Sequence, residues 1–259
     1  MKLQAPFQVE ALRAQWEPED QEAYPNRYRD PFWRAQYRDA FWRAQMLVSS
    51  LRVEGKATDQ LRQLHHHLLG TADWASHGLN AGRIPYTGFQ IGHANPLSDL
   101  KLSLIRVAFL HDILEDTTLT EDDLLYLGVL TPEDRPRLWT LTDPELDMQV
   151  DPPTRPTRTR RWRMFRERLH EKKQWASMVV KLADRIDNAE RCWRGRDSRL
   201  FMYEREHLAV VNVAEVAAAS VRAGEDTSVP VEEREMVSEA ILKLSKRLEE
   251  AFRTPQTRT

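Results

Sequence analysis

Leu110-His111-Asp112-Ile113-Leu114-Glu115-Asp116-Thr117 is the stretch that decides the fold of this chain. It follows an apolar lead-in, Leu104-Ile105-Arg106-Val107-Ala108-Phe109, interrupted by one arginine. On a helix, positions three and four apart share a face. His111 is therefore expected over Glu115 and Asp112 over Asp116, with Phe109, Leu110, Ile113 and Leu114 turned towards a core. Three carboxylates and an imidazole then crowd one short patch. Such crowding is unfavourable unless a cation sits among the carboxylates or one of them holds a proton. The patch reads as half of a metal site with catalytic carboxylates beside it; the plainer alternative is an acidic helix end facing water.

A second stretch favours the metal site: Met178-Val-Val-Lys-Leu-Ala-Asp184-Arg185-Ile-Asp187-Asn188. Val179, Leu182, Ala183 and Ile186 form an i, i+3, i+4, i+7 apolar stripe, the mark of a buried helix face. Asp184 lies inside that helix, too far from its start to serve as an N-cap, and Asn188 follows one turn on along the same face.

Together, His-Asp…Glu-Asp-Thr and Lys-Leu-Ala-Asp-Arg-Ile-x-Asn resemble the HD phosphohydrolase superfamily, and within it the small RelA/SpoT-type hydrolases that remove the 3′ pyrophosphate from (p)ppGpp. The similarity runs from about Leu68 to Arg191. Within it, the segment from Ala72 to Tyr86 is similar to the family's first helix and following loop, and Leu138 to Asp143 to its Val-Thr-Lys/Asp segment. The resemblance implies an all-α HD-domain bundle over residues 56–225. An N-terminal helical extension over 1–55 and a C-terminal helix and tail over 226–259 complete the expected organisation.

Composition agrees with an all-helical chain. Only 9 of 259 residues are glycine, against a usual ~7%, which leaves little material for hairpin turns. Lysine and arginine number 38 against 40 aspartates and glutamates, so no general nucleic-acid binding is expected. No apolar run reaches the ~18 residues of a membrane span, and no signal-peptide core opens the chain. The single cysteine, Cys192, excludes an internal disulfide and a cysteine-built zinc site; a cytoplasmic setting is the default expectation.

Arg29-Asp-Pro-Phe-Trp-Arg-Ala-Gln-Tyr37 is followed at once by Arg38-Asp-Ala-Phe-Trp-Arg-Ala-Gln-Met46. On a helix this repeat turns its two Phe-Trp pairs about 180° apart. Such a segment must bury both sides, against another part of the chain or a second subunit, which would make the repeat a homo-oligomer contact. The alternative is a stacking platform for nucleic acid. Ala57 to His77 reads as a helix carrying His65-His66-His67; three consecutive side chains fan over some 200° and cannot converge on one ion. Gly78 to Asp99 reads as loop, Thr120 with Asp123 as a capping-box-like helix start, and 143–158, with four prolines, as a long loop. The basic helix that follows, Arg158 to Arg168, is either a solvated surface or a clamp for substrate phosphates. A long helical run, a break at Gly224 to Pro230 and a final amphipathic helix from Glu232 to Phe252 end the chain.

The family holds one divalent ion, usually manganese, with two histidines and two aspartates. Matched by motif, the ligands here are His111, Asp112 and Asp184. For the fourth the nearest counterpart is His93, in Ile91-Gly92-His93, although Ala94 stands where the family has proline; His77 is the second candidate. Glu115 and Asp116 match the catalytic pair that positions and deprotonates the attacking water. Asn188 matches a nucleotide contact, Arg83 is the one residue able to stand in for the family's base-reading Gln-x-Arg-Lys residues, and Arg185 adjoins the metal aspartate. The implied activity is manganese-dependent hydrolysis of a nucleotide pyrophosphate, of the (p)ppGpp 3′-pyrophosphohydrolase type. The alternatives are a phosphohydrolase for another nucleotide (a dNTP or NMP) and a catalytically decayed binding protein of the same fold.

Overall fold

The computed structural model describes residues 2–14, 40–51, 58–81, 97–143, 156–195 and 198–253. Among them there is no strand, and the chain is all-helical. The helices are α1 (Ala40–Ser50), α2 (Asp59–Gly78), α3 (Asp99–Leu110), α4 (Ile113–Asp116), α5 (Glu121–Tyr126), α6 (Arg135–Leu141), α7 (Arg158–Lys172), α8 (Met178–Gly195), α9 (Leu200–Ala223) and α10 (Arg234–Arg253).

Local chemistry sets most of the boundaries. Thr58, Ser98 and Thr157 cap α2, α3 and α7 by accepting a hydrogen bond from a first-turn backbone N–H, which satisfies one of the four amides a helix start leaves unpaired. Thr120 and Asp123 form the reciprocal capping box expected of them. At the other end, α9 stops at Gly224, whose φ of 78° is the left-handed cap that glycine adopts without steric cost. Gly78, expected to open a loop, instead ends α2 inside the core. A Cβ there would collide with the Leu244 side chain of α10, so this glycine lets two helices approach closely.

α8 is the central element, packed against α2, α3, α9 and α10. Its Val179, Leu182, Ala183 and Ile186 are all fully buried, as the stripe predicts. α3 is buried nearly all round and packs on α1, α2 and α8, while α9 and α10 lie against one another. One continuous core runs from Ala5 and Leu12 through Ala44, Leu47 and Val48 to Leu244 and Leu248, so residues from before 56 and after 225 share it. Of the aromatic repeat, residues 29–39 lie outside the described residues; 40–46 form the start of α1.

Arg106, the arginine that interrupts the apolar lead-in, explains itself here. It donates to the fully buried carboxylate of Asp134, which also accepts from Ser103 and Thr131. Arg137 joins through Ser103 and reaches the Ser228 backbone carbonyl and hydroxyl at 3.2 and 3.0 Å. This network ties α3, the helix that delivers His111, to α6 and to the turn before α10. Removing one partner of a buried charge pair leaves the others uncompensated at about 3–5 kcal/mol. Asp134→Ala is therefore expected to lower the unfolding free energy by about that much in equilibrium denaturation; a loss under about 1 kcal/mol, the size of an exposed pair, would contradict the role given to the network.

Candidate metal centre

Four elements meet at the His-Asp stretch, and the chain does not pass through it as one helix, as the spacing suggested. α3 closes at Leu110, His111 and Asp112 form a turn, and α4 is a fresh turn of helix. The reason is local. The His111 ring donates from Nδ1 to the Ala108 carbonyl at 2.9 Å, satisfying one of the carbonyls that a helix end leaves unpaired. The Asp112 carbonyl then accepts the N–H groups of Glu115 and Asp116. The two residues point into the same space from a bend.

Opposite them stands His67 of α2. Its Nδ1 lies 2.7 Å from the Asp187 carboxylate, and its Nε2 faces His111 Nε2 at 3.2 Å. Asp112 Oδ2 is 3.2 Å from the first Nε2 and 3.3 Å from the second, and Asp184 Oδ1 is 3.4 and 3.8 Å from them. Both rings spend their Nδ1 hydrogen on an oxygen acceptor, so both Nε2 atoms present lone pairs to the same point. Two lone pairs at 3.2 Å repel unless a cation or a proton lies between them. Donors adjacent on an ion with bonds of about 2.0–2.2 Å stand roughly 3.0–3.5 Å apart; the other separations fall in that range, and Asp184 to His111, at 3.8 Å, is longer. Among the described residues, His67, His111 and Asp184 each present a donor atom within 4.8 Å of the other two. This buried His-His-Asp group, with Asp112 touching both rings, can hold a divalent ion.

The electrostatics point the same way. Burial opposes charge on both imidazoles, yet the neighbouring carboxylates prevail. Asp112 and Asp184 raise His111 to about 9, and Asp112, Asp184 and Asp187 raise His67 well above its ordinary value. Against their own burial, Asp112 is held below the usual carboxylate range by the two histidines, and Asp184 by Lys181 and the same pair. These shifts favour positive charge at the centre, which a proton or a metal ion can supply.

Among the described residues, the histidine that stands opposite His111 is His67, where the sequence points to His93 or His77 as the fourth ligand. His93 and Arg83 lie outside the described residues. His77 is exposed at the end of α2, its ring edge-on to Trp74, ten residues and so about 15 Å along the helix from His67. The fan of His65-His66-His67 is as expected, with His66 exposed and the other two buried, and the three do not converge; one member, His67, faces the centre, and the other donors there come from other elements. The overlooked signal was Gly70, a glycine in mid-helix one turn after His67. Such a glycine costs about 0.5–1 kcal/mol relative to alanine and calls for a reason. A Cβ there would fall on the Asp187 carboxylate.

Glu115, Asp116, Arg185 and Asn188 all line a cavity of about 770 Å³ that opens from the centre along α8. Glu115 accepts from the Asp143 backbone N–H at 2.6 Å. Burial, then repulsion from Asp112 and Asp143, pushes its carboxyl up to about 8. Asn188 donates to Asp184 Oδ1, so it orients a ligand as well as facing the cavity. Arg185 lies over the Tyr203 ring, 3.7 Å from Glu206. The basic helix α7 divides between its two readings: Arg163 and Arg166 are exposed, whereas Arg161 lines the cavity, paired to Asp143 at 3.1 Å. Lys181, 3.2 Å from Asp184 Oδ2, adds a further cation to the wall. No helix among the described residues is long and apolar enough to cross a membrane.

No family model, no curated protein and no solved structure matches this chain.

An ion entering the centre must displace at least one proton from the histidine pair at neutral pH. Affinity for Mn²⁺ or Zn²⁺ should therefore rise with pH from neutrality to at least about 9, as His111 and His67, both raised by their carboxylates, give up their protons. Calorimetry in buffers of different ionisation enthalpy should show at least one proton released per ion at pH 7, and affinity independent of pH below 9 would contradict the arrangement. His67→Ala should lose the ion; loss in His93→Ala with His67→Ala unaffected would return the fourth position to His93.

Proposed function

We propose that this protein is a metal-dependent phosphohydrolase of the HD type, acting on a nucleotide pyrophosphate with (p)ppGpp-like 3′-pyrophosphohydrolase chemistry, with manganese as the working ion and in a cytoplasmic setting. The observation that carries this is the convergence of two imidazole lone pairs, Asp112 and Asp184 on one point, beside a cavity whose wall holds both carboxyl groups, Glu115 and Asp116 among them, and cations. Mixed imidazole and carboxylate donors suit a borderline-to-hard divalent ion. When bound, such an ion supplies Lewis acidity, neutralising phosphate charge and making water acidic enough to attack near neutrality.

The chain's own groups complete the reaction. Arg161 and Lys181 offer guanidinium and ammonium hydrogens to phosphate oxygens on the cavity wall. Water attacks phosphorus, the bond to the 3′ oxygen breaks, and pyrophosphate leaves. Glu115, held near 8, is suited to take the proton of that water and return one to the departing oxygen, since a carboxyl tuned towards the working pH serves best in both directions. Asp116, beside it on the cavity wall, matches the second member of the catalytic pair.

A second substrate reading keeps its place on one observation: Leu79-Asn80-Ala81-Gly82-Arg83 departs from the family's base-reading residues, which favours a dNTP or NMP if guanine is not read. Product release from (p)ppGpp and from a panel of nucleotides, with Mn²⁺, separates the two. No turnover of any of them by a metal-loaded sample would overturn the enzymatic reading in favour of a binding protein. Glu115→Gln should keep the metal and lower kcat by about 10²- to 10⁴-fold.

A further inference from the structure

The Leu-Ala-Asp-Arg-x-x-Asn motif leaves open the position that Asp187 occupies, and here that residue is buried against the centre. Asp184 and Asp187 are three apart on α8, so both face α2. Asp184 enters the centre itself, while Asp187 stands behind His67, 2.7 Å from Nδ1. Of the three consecutive histidines on α2, His67 is the one that Asp187 reaches. Two further features belong to this contact. Gly70, one turn after His67, supplies the room that the Asp187 carboxylate fills. Arg191, one turn after Asp187, lies 3.7 Å from the same Oδ2 and donates to the Gln63 carbonyl at 3.1 Å, clasping α8 to α2 at that level.

We propose that Asp187 is a positioning residue that makes His67 the fourth ligand: it takes the Nδ1 hydrogen, fixes the ring with Nε2 towards His111, and increases the ring's donor strength, with Gly70 as the clearance that allows it. This rests on the metal reading of the centre. The two histidines are then unequal by construction. His111 gives its Nδ1 hydrogen to a neutral carbonyl, whereas His67 gives it to a carboxylate, the stronger acceptor. A buried carboxylate costs several kcal/mol unless it is paired, so the position is occupied for the sake of what it contacts. Partners of this kind on a ligating histidine are worth about 10- to 100-fold in metal affinity.

The test is titration of Co²⁺ into the full-length protein, its visible ligand-field spectrum and its affinity being read together, for the wild type, Asp187→Ala, Asp187→Asn and Gly70→Ala, each checked for helix content. Asp187→Ala should weaken Co²⁺ by about 10- to 100-fold and alter the spectrum. Asp187→Asn, which retains an oxygen acceptor without the charge, should recover part of both. Gly70→Ala should behave like Asp187→Ala, because the new methyl group displaces the carboxylate. Wild-type spectrum and affinity in folded Asp187→Ala or in Gly70→Ala would overturn the proposal while leaving the metal centre standing. Absence of Co²⁺ binding by the wild type would overturn the metal reading itself, and this inference with it.

Discussion

Two imidazole nitrogens that face each other at 3.2 Å with their lone pairs inward are the constraint on which the rest of the structure depends. Nothing in the apolar core requires them to meet, and electrostatics opposes it until something positive stands between. Asp112, from the same bend as His111, and Asp184, from α8, close the same space, so that a shell of donors able to take an ion is already in place. Such preorganisation matters because a site assembled only on binding would spend part of the ion's affinity on ordering four side chains.

The scaffold accounts for how so unfavourable a meeting persists. His67 rides on α2, His111 and Asp112 on the bend after α3, and Asp184 on α8, and these three helices pack directly on one another. α3 is anchored by the Arg106–Asp134 network, about one to two turns before His111, and α2 and α8 are clasped by Arg191. The turn with Glu115 and Asp116 is fastened separately: Leu3 donates to the Asp116 carbonyl at 2.7 Å and accepts from Thr118 at 2.9 Å. Residues near the chain's start thus form part of the wall around the proposed proton-transfer group.

Much of this was legible in the sequence. Periodicity, the Thr120 capping box and the break at Gly224 pointed to the helices, because such signals act on their own neighbours and need no tertiary context; the caps at Thr58 and Thr157 are of the same local kind. The apolar stripe of α8 oriented Asp184 inwards for the same reason. What escaped was long-range or sub-helical. The break between Leu110 and Ile113 depends on a histidine ring turning back to Ala108, which helical spacing does not encode. His67 escaped because a run of histidines was judged as a unit, whereas a site built from several helices uses one residue from each. Its partner Asp187 sits 120 residues away, and only the otherwise unexplained Gly70 hinted that α2 carried something that needed space. In the sequence Arg161 is one arginine of a basic helix with two readings, and only the cavity that gathers it with Asp143 and Lys181 separates it from its exposed neighbours.

The most direct measurement is the anomalous scattering of crystals grown with Mn²⁺, which locates the ion independently of any activity. A single strong peak about 2.0–2.2 Å from the Nε2 atoms of His67 and His111 and from carboxylate oxygens of Asp112 and Asp184 is the result predicted. A peak bound elsewhere, or a saturated crystal in which those two rings share only a proton, would contradict it.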